Sequence, residues 1–358
     1  MNNSVYKELA AINNPMLNLI KPHEIKKRLD EYVIGNEDVK KTLSTTLYNH
    51  YKKISYRGEI ELDKSNLVLL GPTGSGKTFL IKTIANILNV PYYIADCTTL
   101  TESGYVGSDV ETVLDGLLEK AEGNIQLAQM GIICLDELDK IGRKSENVSI
   151  TRDVSGEGVQ QALLRMLESS VVRIQPGQKR QHPEKPYINF DTRNVLFIGM
   201  GAFEGIEQKI KKRLNLTRIG YASHTDDTSK KIDEKNLLSE VTTDDLKSFG
   251  LIPELIGRMP IITATEHLSE EALINIITKP KNAILKQYKE LFLMDGCTLS
   301  FTNEALIAVA KKAIKLKTGA RSLRTILEKV LQGYMYDIPK TKVKKLEITE
   351  EIVNSIIN

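Results

Sequence analysis

The sequence predicts an α/β fold built on a parallel sheet, and three observations carry that expectation. Short continuous apolar runs, Leu67-Val68-Leu69-Leu70, Ile132-Ile133-Cys134-Leu135 and Val195-Leu196-Phe197-Ile198, suit strands buried on both faces. Helical stretches alternate with these runs, as a parallel sheet requires of its crossovers. The first run ends in a glycine-rich loop that opens a helix. After Pro260 the pattern changes to amphipathic helices with short strands among them, which predicts a second, smaller, mostly helical α+β domain at the C-terminus.

Composition narrows the class. A chain of 358 residues suits two domains at about 100–200 residues each. Hydrophobic residues at 41% and charged residues at 27% are ordinary for a folded chain and wrong for disorder. Lys+Arg 49 against Asp+Glu 46 leaves a formal charge of +3, too balanced to imply a nucleic-acid partner. Cys97, Cys134 and Cys297 lie far apart with no CxxC pair, which argues against a disulfide framework or a zinc ribbon and suits a reducing interior. The N-terminus lacks a basic region followed by an apolar run, and no membrane-length apolar segment follows. A soluble cytoplasmic protein with no membrane partner is expected.

The elements follow in order. Residues 1–20 read as a loose lead-in, and residues 21–262 as the large domain. Pro22 and Glu24 open a short helix, because Pro needs no N–H partner in a first turn. A longer helix is expected from an Asn36 N-cap, with Val39, Leu43, Leu47 and Ile54 along one side. Beyond Ser155-Gly156-Glu157-Gly158, the positions Val159, Ala162, Leu163, Met166 and Leu167 form one helical stripe. Residues 207–248 turn polar with weak periodicity, which predicts an exposed and partly mobile insertion. In residues 263–358, Ser269, Asn303 and Thr349 are expected N-caps, with strands at Leu299–Phe301 and Leu346–Ile348.

Gly71-Pro72-Thr73-Gly74-Ser75-Gly76-Lys77-Thr78 fits G-x-x-x-x-G-K-[ST], and its setting between an apolar run and a helix is the one the mechanism requires. Glycines let backbone N–H groups curl around phosphates at a helix N-terminus that already favours anions. Lys77 is expected to reach the β- and γ-phosphates, and Thr78 to offer its hydroxyl to Mg²⁺. Asp136 and Glu137 end a buried apolar run, where ligands of open α/β sheets bind. By itself such a run reads equally well as a strand–turn junction. Beside the phosphate loop, Asp136 is expected to hold Mg²⁺ and Glu137 to polarise the water that attacks the γ-phosphate of ATP.

Further motifs carry a family resemblance. The chain reads YVIG (32–35), YNHYKKI (48–54), TTLTESGYVGSDVE (98–111), SITRDVSGEGVQQALLRMLE (149–168), GAFEGI (201–206), FGLIPELIGRMP (249–260), PKNAILKQY (280–288) and TGARSLR (318–324). Together they resemble the ClpX family of AAA+ ring ATPases, collinearly over about residues 20 to 340. The resemblance implies a homo-hexamer that hydrolyses ATP, unfolds tagged or unstructured protein substrates and threads them through an axial pore into a ClpP-type peptidase. It implies an adenine site at Tyr32, Val33 and Ile34, which by residue type alone could also be core packing. It implies an arginine finger at Arg258, acting on the neighbouring subunit's nucleotide, and a second sensor at Arg321 facing the nucleotide of its own subunit.

Gly104-Tyr105-Val106-Gly107 resembles the family's substrate-gripping pore loop, residues 149–158 a second, and Gly177 to His182 a third. In the third, Arg180 and His182 match while Gln181 stands where the family has Lys. Ile219-Gly220-Tyr221 resembles the Ile-Gly-Phe with which the family docks its peptidase, with Tyr for Phe. The sequence does not include the four-cysteine zinc domain with which family members begin, whether by nature or by trimming, and no zinc is expected for it. Gly199-Met200-Gly201 offers no polar side chain where many AAA+ proteins carry a first sensor, and that role stays unassigned. A peptidase-independent remodeller and an AAA+ nucleic-acid motor are the other readings; the balanced charge and the Tyr-Val loop disfavour the second.

Overall fold

A computed structural model describes residues 19–101, 108–142, 156–168, 170–175, 187–220, 234–316, 318–341 and 343–357. Among them the main helices are α1 (Pro22–Asp30), α2 (Glu37–Ile54), α3 (Lys77–Leu88), α4 (Thr112–Lys120), α5 (Glu157–Leu167), α6 (Ile206–Gly220), α7 (Thr243–Phe249), α8 (Pro253–Gly257), α9 (Glu270–Thr278), α10 (Ile284–Met294), α11 (Asn303–Lys315), α12 (Arg321–Asp337) and α13 (Glu350–Ile357), with a single short turn of helix at Ile125–Ala128 besides. The main strands are β1 (Leu67–Leu70), β2 (Tyr92–Asp96), β3 (Ile132–Asp136), β4 (Leu196–Gly201) and β5 (Ile261–Ala264). They form one parallel sheet in the order β2-β3-β4-β1-β5. The apolar runs supply its three central strands, β3, β4 and β1, whose side chains are buried almost throughout. β2 and β5 are half-buried edges, and the sequence pattern did not reveal them.

The chain forms two compact units that are not consecutive in sequence. One gathers residues 1–25, 38–71 and 84–265 and holds the five-stranded sheet. Its core packs Val113, Leu114 and Leu117 of α4, Val159, Leu163 and Met166 of α5, and Leu255 and Ile256 of α8 with sheet residues such as Ile133 and Phe197. The other gathers residues 26–37, 72–83 and 266–358. Its core is built by α9 to α13 around Leu273, Phe292, Val309, Leu327 and Val330. There Thr298–Phe301 pairs in parallel with Lys345–Ile348, at the strands expected from the sequence.

Three local expectations are corrected. Asn36 does not cap α2: it takes a left-handed backbone, with φ of 56°, and its Oδ1 accepts from the Glu266 N–H at 3.0 Å. The cap of α11 is Thr302, whose hydroxyl accepts from Ala305 N–H, and Asn303 is the first helical residue. Ser269 caps α9 as expected, accepting from Ala272 N–H at 3.1 Å. The largest correction concerns residues 207–248. Where described, this stretch folds into α6, a 3₁₀ segment at Glu234–Glu240 and α7, and it buries Ile210, Leu237, Leu238 and Leu246 in the core. Arg213 anchors it through a two-pronged pair with the buried Asp245, which also closes a capping box with Thr242.

Two basic side chains hold the segment that leads into β4. His50 of α2 is buried, with Nε2 3.0 Å from the Asn194 carbonyl. Lys64 donates to the Thr192 carbonyl at 2.9 Å and lies 4.5 Å from the centroid of the Phe197 ring. Burial, with Lys64 nearby, pushes the His50 imidazole down to about 3, and burial also pulls Lys64 down to about 7. A folded value below the unfolded one means the unfolded chain binds the proton more readily. Stability from His50 is therefore full above about 6.5 and is lost as pH falls toward about 3. The urea midpoint is expected to fall between pH 7 and pH 5 in the native chain, with a smaller fall in His50→Gln.

Candidate functional site

The second unit brings together three of the sequence groups directed at nucleotide: residues 32–34, the phosphate loop from Pro72 and the start of α12. Ser75 N–H donates to the Pro72 carbonyl and Lys77 Nζ reaches the same carbonyl at 3.0 Å, so the loop curls on itself before α3 begins at Lys77. Gly74, with φ of 77°, lies directly against Thr318 and Gly319. Its carbonyl accepts from Ala320 N–H at 3.0 Å, one residue before Arg321. A side chain on Gly319 would stand 2.7 Å from that same carbonyl, so both glycines are needed for two backbones to approach this closely. The chain thereby ties its phosphate loop to the start of α12, nearly 250 residues later in sequence. Arg321 is exposed at the first position of α12.

Tyr32, Val33 and Ile34 leave the end of α1, where Tyr32 and Val33 N–H groups both donate to the Leu29 carbonyl. Val33 is buried, while Tyr32 and Ile34 are half-buried. Lys281 N–H donates to the Glu31 carbonyl at 2.8 Å, and its ammonium lies 3.4 Å from the Glu31 carboxylate and 6.0 Å from the Tyr32 ring centroid. The PKNAI motif at 280–284 thus serves to hold this segment in place.

The first unit carries the acid pair and Arg258. β3 is buried up to Leu135, and Asp136, half-buried, pairs in register with Asp96 of β2. Glu137 is exposed and left-handed, with φ of 56° and ψ of 35°, and its N–H donates to Asp136 Oδ1 at 3.0 Å. A glutamate in that conformation is uncommon and is held by its surroundings. Those surroundings include Asp139, which the sequence reading passed over. Asp139 is buried in the 3₁₀ turn Leu138–Ile141, and its Oδ1 accepts from Ala202 N–H at 3.2 Å. A side chain on Gly201 would meet that oxygen at 2.5 Å. Gly201 at the end of β4 is therefore glycine because the turn after the acid pair presses on it. The available signal was an Asp three residues after Asp136 among Leu138 and Ile141. Asp139→Ala is expected to cost about 1.5–3 kcal/mol, the range for a hydrogen bond to a charged group, with Asp139→Asn close to the native chain. Denaturant midpoints at unchanged slope check it.

Arg258 caps the C-terminus of α8. Its guanidinium pairs with Glu168 at 3.2 Å, and its carbonyl accepts from Asn66 Nδ2 at 2.9 Å. Asn66 is buried just before β1, and its Oδ1 accepts from Phe197 N–H. Tyr105, Val106, Arg180, His182 and Tyr221, with most of residues 149–158, lie outside the described residues. Ile219 and Gly220 end α6.

Residues 62–262 match the family described as AAA domain (Cdc48 subfamily), and residues 268–357 match the C-terminal, D2-small domain of ClpB protein. The ATP-dependent Clp protease ATP-binding subunit ClpX of Porphyromonas gingivalis is 50% identical over 343 residues, covering 95% of this chain and 83% of the relative. The chain belongs to the ClpX family. The subunits of the same name from Bacteroides thetaiotaomicron and Bacteroides fragilis are 47% identical over 346 residues and 48% over 334, covering 96% and 92% of this chain and 83% and 80% of theirs. As a ClpX-family AAA+ protein, the chain is an ATP-hydrolysing protein unfoldase. No helix among the described residues is long and apolar enough to cross a membrane.

Proposed function

We propose that this chain works in the cytoplasm as a homo-hexameric ring that unfolds tagged or unstructured proteins and passes them to a ClpP-type peptidase. The observation that carries the reading is the sheet order. Asp136 ends β3 with Glu137 directly after it, and β1, which runs into the phosphate loop, lies two places away with only β4 between them. Ligand sites of open α/β sheets lie at such carboxyl ends. In this reading the phosphate-loop residues Gly71, Pro72, Thr73, Gly74, Ser75 and Gly76 wrap the phosphates with backbone N–H groups, and Lys77 neutralises the β- and γ-oxygens. Tyr32, Val33 and Ile34 receive the adenine.

The Thr78 hydroxyl and the Asp136 carboxylate are hard oxygen donors of the class that holds Mg²⁺. Such an ion, when bound, would offset the negative charge of the phosphate oxygens. Glu137 accepts the proton of the attacking water. Arg258 acts across a subunit boundary on the γ-phosphate, and Arg321 reads the nucleotide of its own subunit. Tyr105 and Val106 grip substrate, Arg180 and His182 line the pore entrance, and Ile219, Gly220 and Tyr221 dock the peptidase.

ATP-dependent loss of fluorescence from a green fluorescent protein with an unstructured tail tests this, run with and without a ClpP-type peptidase. Loss that Tyr105→Ala abolishes while ATP turnover persists is the expected result. Peptide products released with the peptidase and not by Tyr221→Ala would support docking through that loop. ATP turnover with no loss of fluorescence under any condition would overturn the unfoldase assignment for such substrates.

A further inference from the structure

Gln160 is a polar side chain with no accessible surface, in the middle of the first unit's core. A buried amide is costly unless its donors and acceptor are all satisfied. Here they are, and by the backbone of segments far apart in sequence. Its Nε2 donates to the Ile141 carbonyl at 2.7 Å and to the Gly250 carbonyl at 3.3 Å. Its Oε1 accepts from Ile252 N–H at 2.8 Å. The amide can point only this way, because a flip would set Oε1 against two carbonyls.

The partners are what give the bonds meaning. Ile141 ends the 3₁₀ turn that starts directly after Glu137. Ile252 is the N-cap of α8, has no side-chain cap of its own, and lies one helix of five residues before Arg258. Gln160 is on α5, and the far end of α5 reaches the same place: its C-cap, Glu168, pairs with the Arg258 guanidinium. α5 is thus bonded to the Arg258 segment at both ends, and to the segment after the acid pair at one.

We infer that Gln160 is a positioning residue for ATP hydrolysis, bracing α8, and with it Arg258, against the turn that carries Glu137. It ties the group that completes the neighbour's reaction to the base that serves this subunit's own. A change in the Glu137 turn would then move Arg258 without any new contact. This role deepens the assignment of Arg258 and rests on it.

The test is a double-mutant cycle on the full-length chain, reading ATPase kcat and KM. Gln160→Met keeps the volume and removes all three bonds. It is expected to lower kcat about 10- to 100-fold with KM for ATP within about twofold, and to cause no further loss in an Arg258→Ala background. A kcat within about twofold of the native chain, while Arg258→Ala is crippled, would overturn the role of Gln160. So would a loss that multiplies fully with that of Arg258→Ala, which is the signature of general structural damage. Native turnover in Arg258→Ala itself would instead remove the Arg258 assignment, independently of Gln160. If Gln160→Met fails to fold, the exposed Glu168 decides the matter. Glu168→Ala is expected to lower kcat about two- to fivefold only where Arg258 is present, with Glu168→Gln partly restoring it; an unchanged or raised kcat overturns the brace.

Discussion

Glu137→Gln is expected to bind ATP as the native chain does and to hydrolyse it about 10²–10⁴-fold more slowly, the usual contribution of a positioned general base. The substitution keeps the shape of the side chain and removes only its ability to take a proton. The local backbone should survive. The bond that marks the turn is made by the Glu137 N–H to Asp136 Oδ1, and the left-handed conformation is braced by Asp139 on Ala202, so neither depends on the Glu137 carboxylate. Phosphate binding should survive as well, because its donors belong to the loop from Gly71 to Thr78. Equilibrium binding of labelled ATP and multiple-turnover phosphate release, measured on the same preparation, separate the two effects. Turnover near the native rate would remove Glu137 as the base, and loss of binding in parallel with turnover would make its role structural.

What the sequence disclosed and what it hid follow one physical division. The phosphate loop and the Asp136-Glu137 pair were legible because each is a contiguous motif whose chemistry needs residues next to one another. The three central strands were legible because burial on both faces writes a continuous apolar run. β2 and β5 were not, since an edge strand with half-buried residues such as Tyr92-Tyr93 and Ile261-Ile262 lacks that signature. The polar count of residues 207–248 hid a folded segment because its few apolar anchors, Ile210, Leu237, Leu238 and Leu246, are widely spaced. The buried Asp245 there is satisfied by Arg213 from another helix, a pairing invisible in a linear reading.

The division into two units was hidden most deeply. Residues 26–37 and 72–83 belong by contact with residues 266–358, so the phosphate loop is held by the start of α12 rather than only by the strand that precedes it. The two buried polar residues that organise the acid pair and Arg258, namely Asp139 and Gln160, were missed for a related reason. Each sits among apolar neighbours where composition suggests plain packing, and each is explained by one or more backbone groups far away in sequence. Gln160 did leave one trace. It lies three and four residues before Leu163 and Leu164, on the face that α5 turns inward.

Arg258→Ala is expected to lower ATP turnover about 10³-fold or more, at the scale of trans-acting arginine fingers, yet to be rescued by a second inactive variant. In the free chain Arg258 is exposed, and among the described residues its guanidinium pairs through Nη2 with the exposed Glu168 at 3.2 Å; a guanidinium carries five N–H donors, so Glu168 can orient it while others meet a phosphate. A subunit with Arg258→Ala keeps its own Glu137, and a subunit with Glu137→Gln keeps its own Arg258. If the finger serves the next subunit around a ring, each defect lies in a different half of a shared site. Mixing the two inactive proteins should then regenerate complete sites wherever a Glu137→Gln subunit supplies its finger to an Arg258→Ala neighbour. Random assembly from equal amounts places about a quarter of all sites in that state, because the contact between ring neighbours is head-to-tail and each subunit is served from one side only. Recovered turnover that peaks near equal mixing is therefore expected, with neither protein active alone. A finger that served its own subunit would give no recovery at any ratio, since every subunit would still lack one of the two groups.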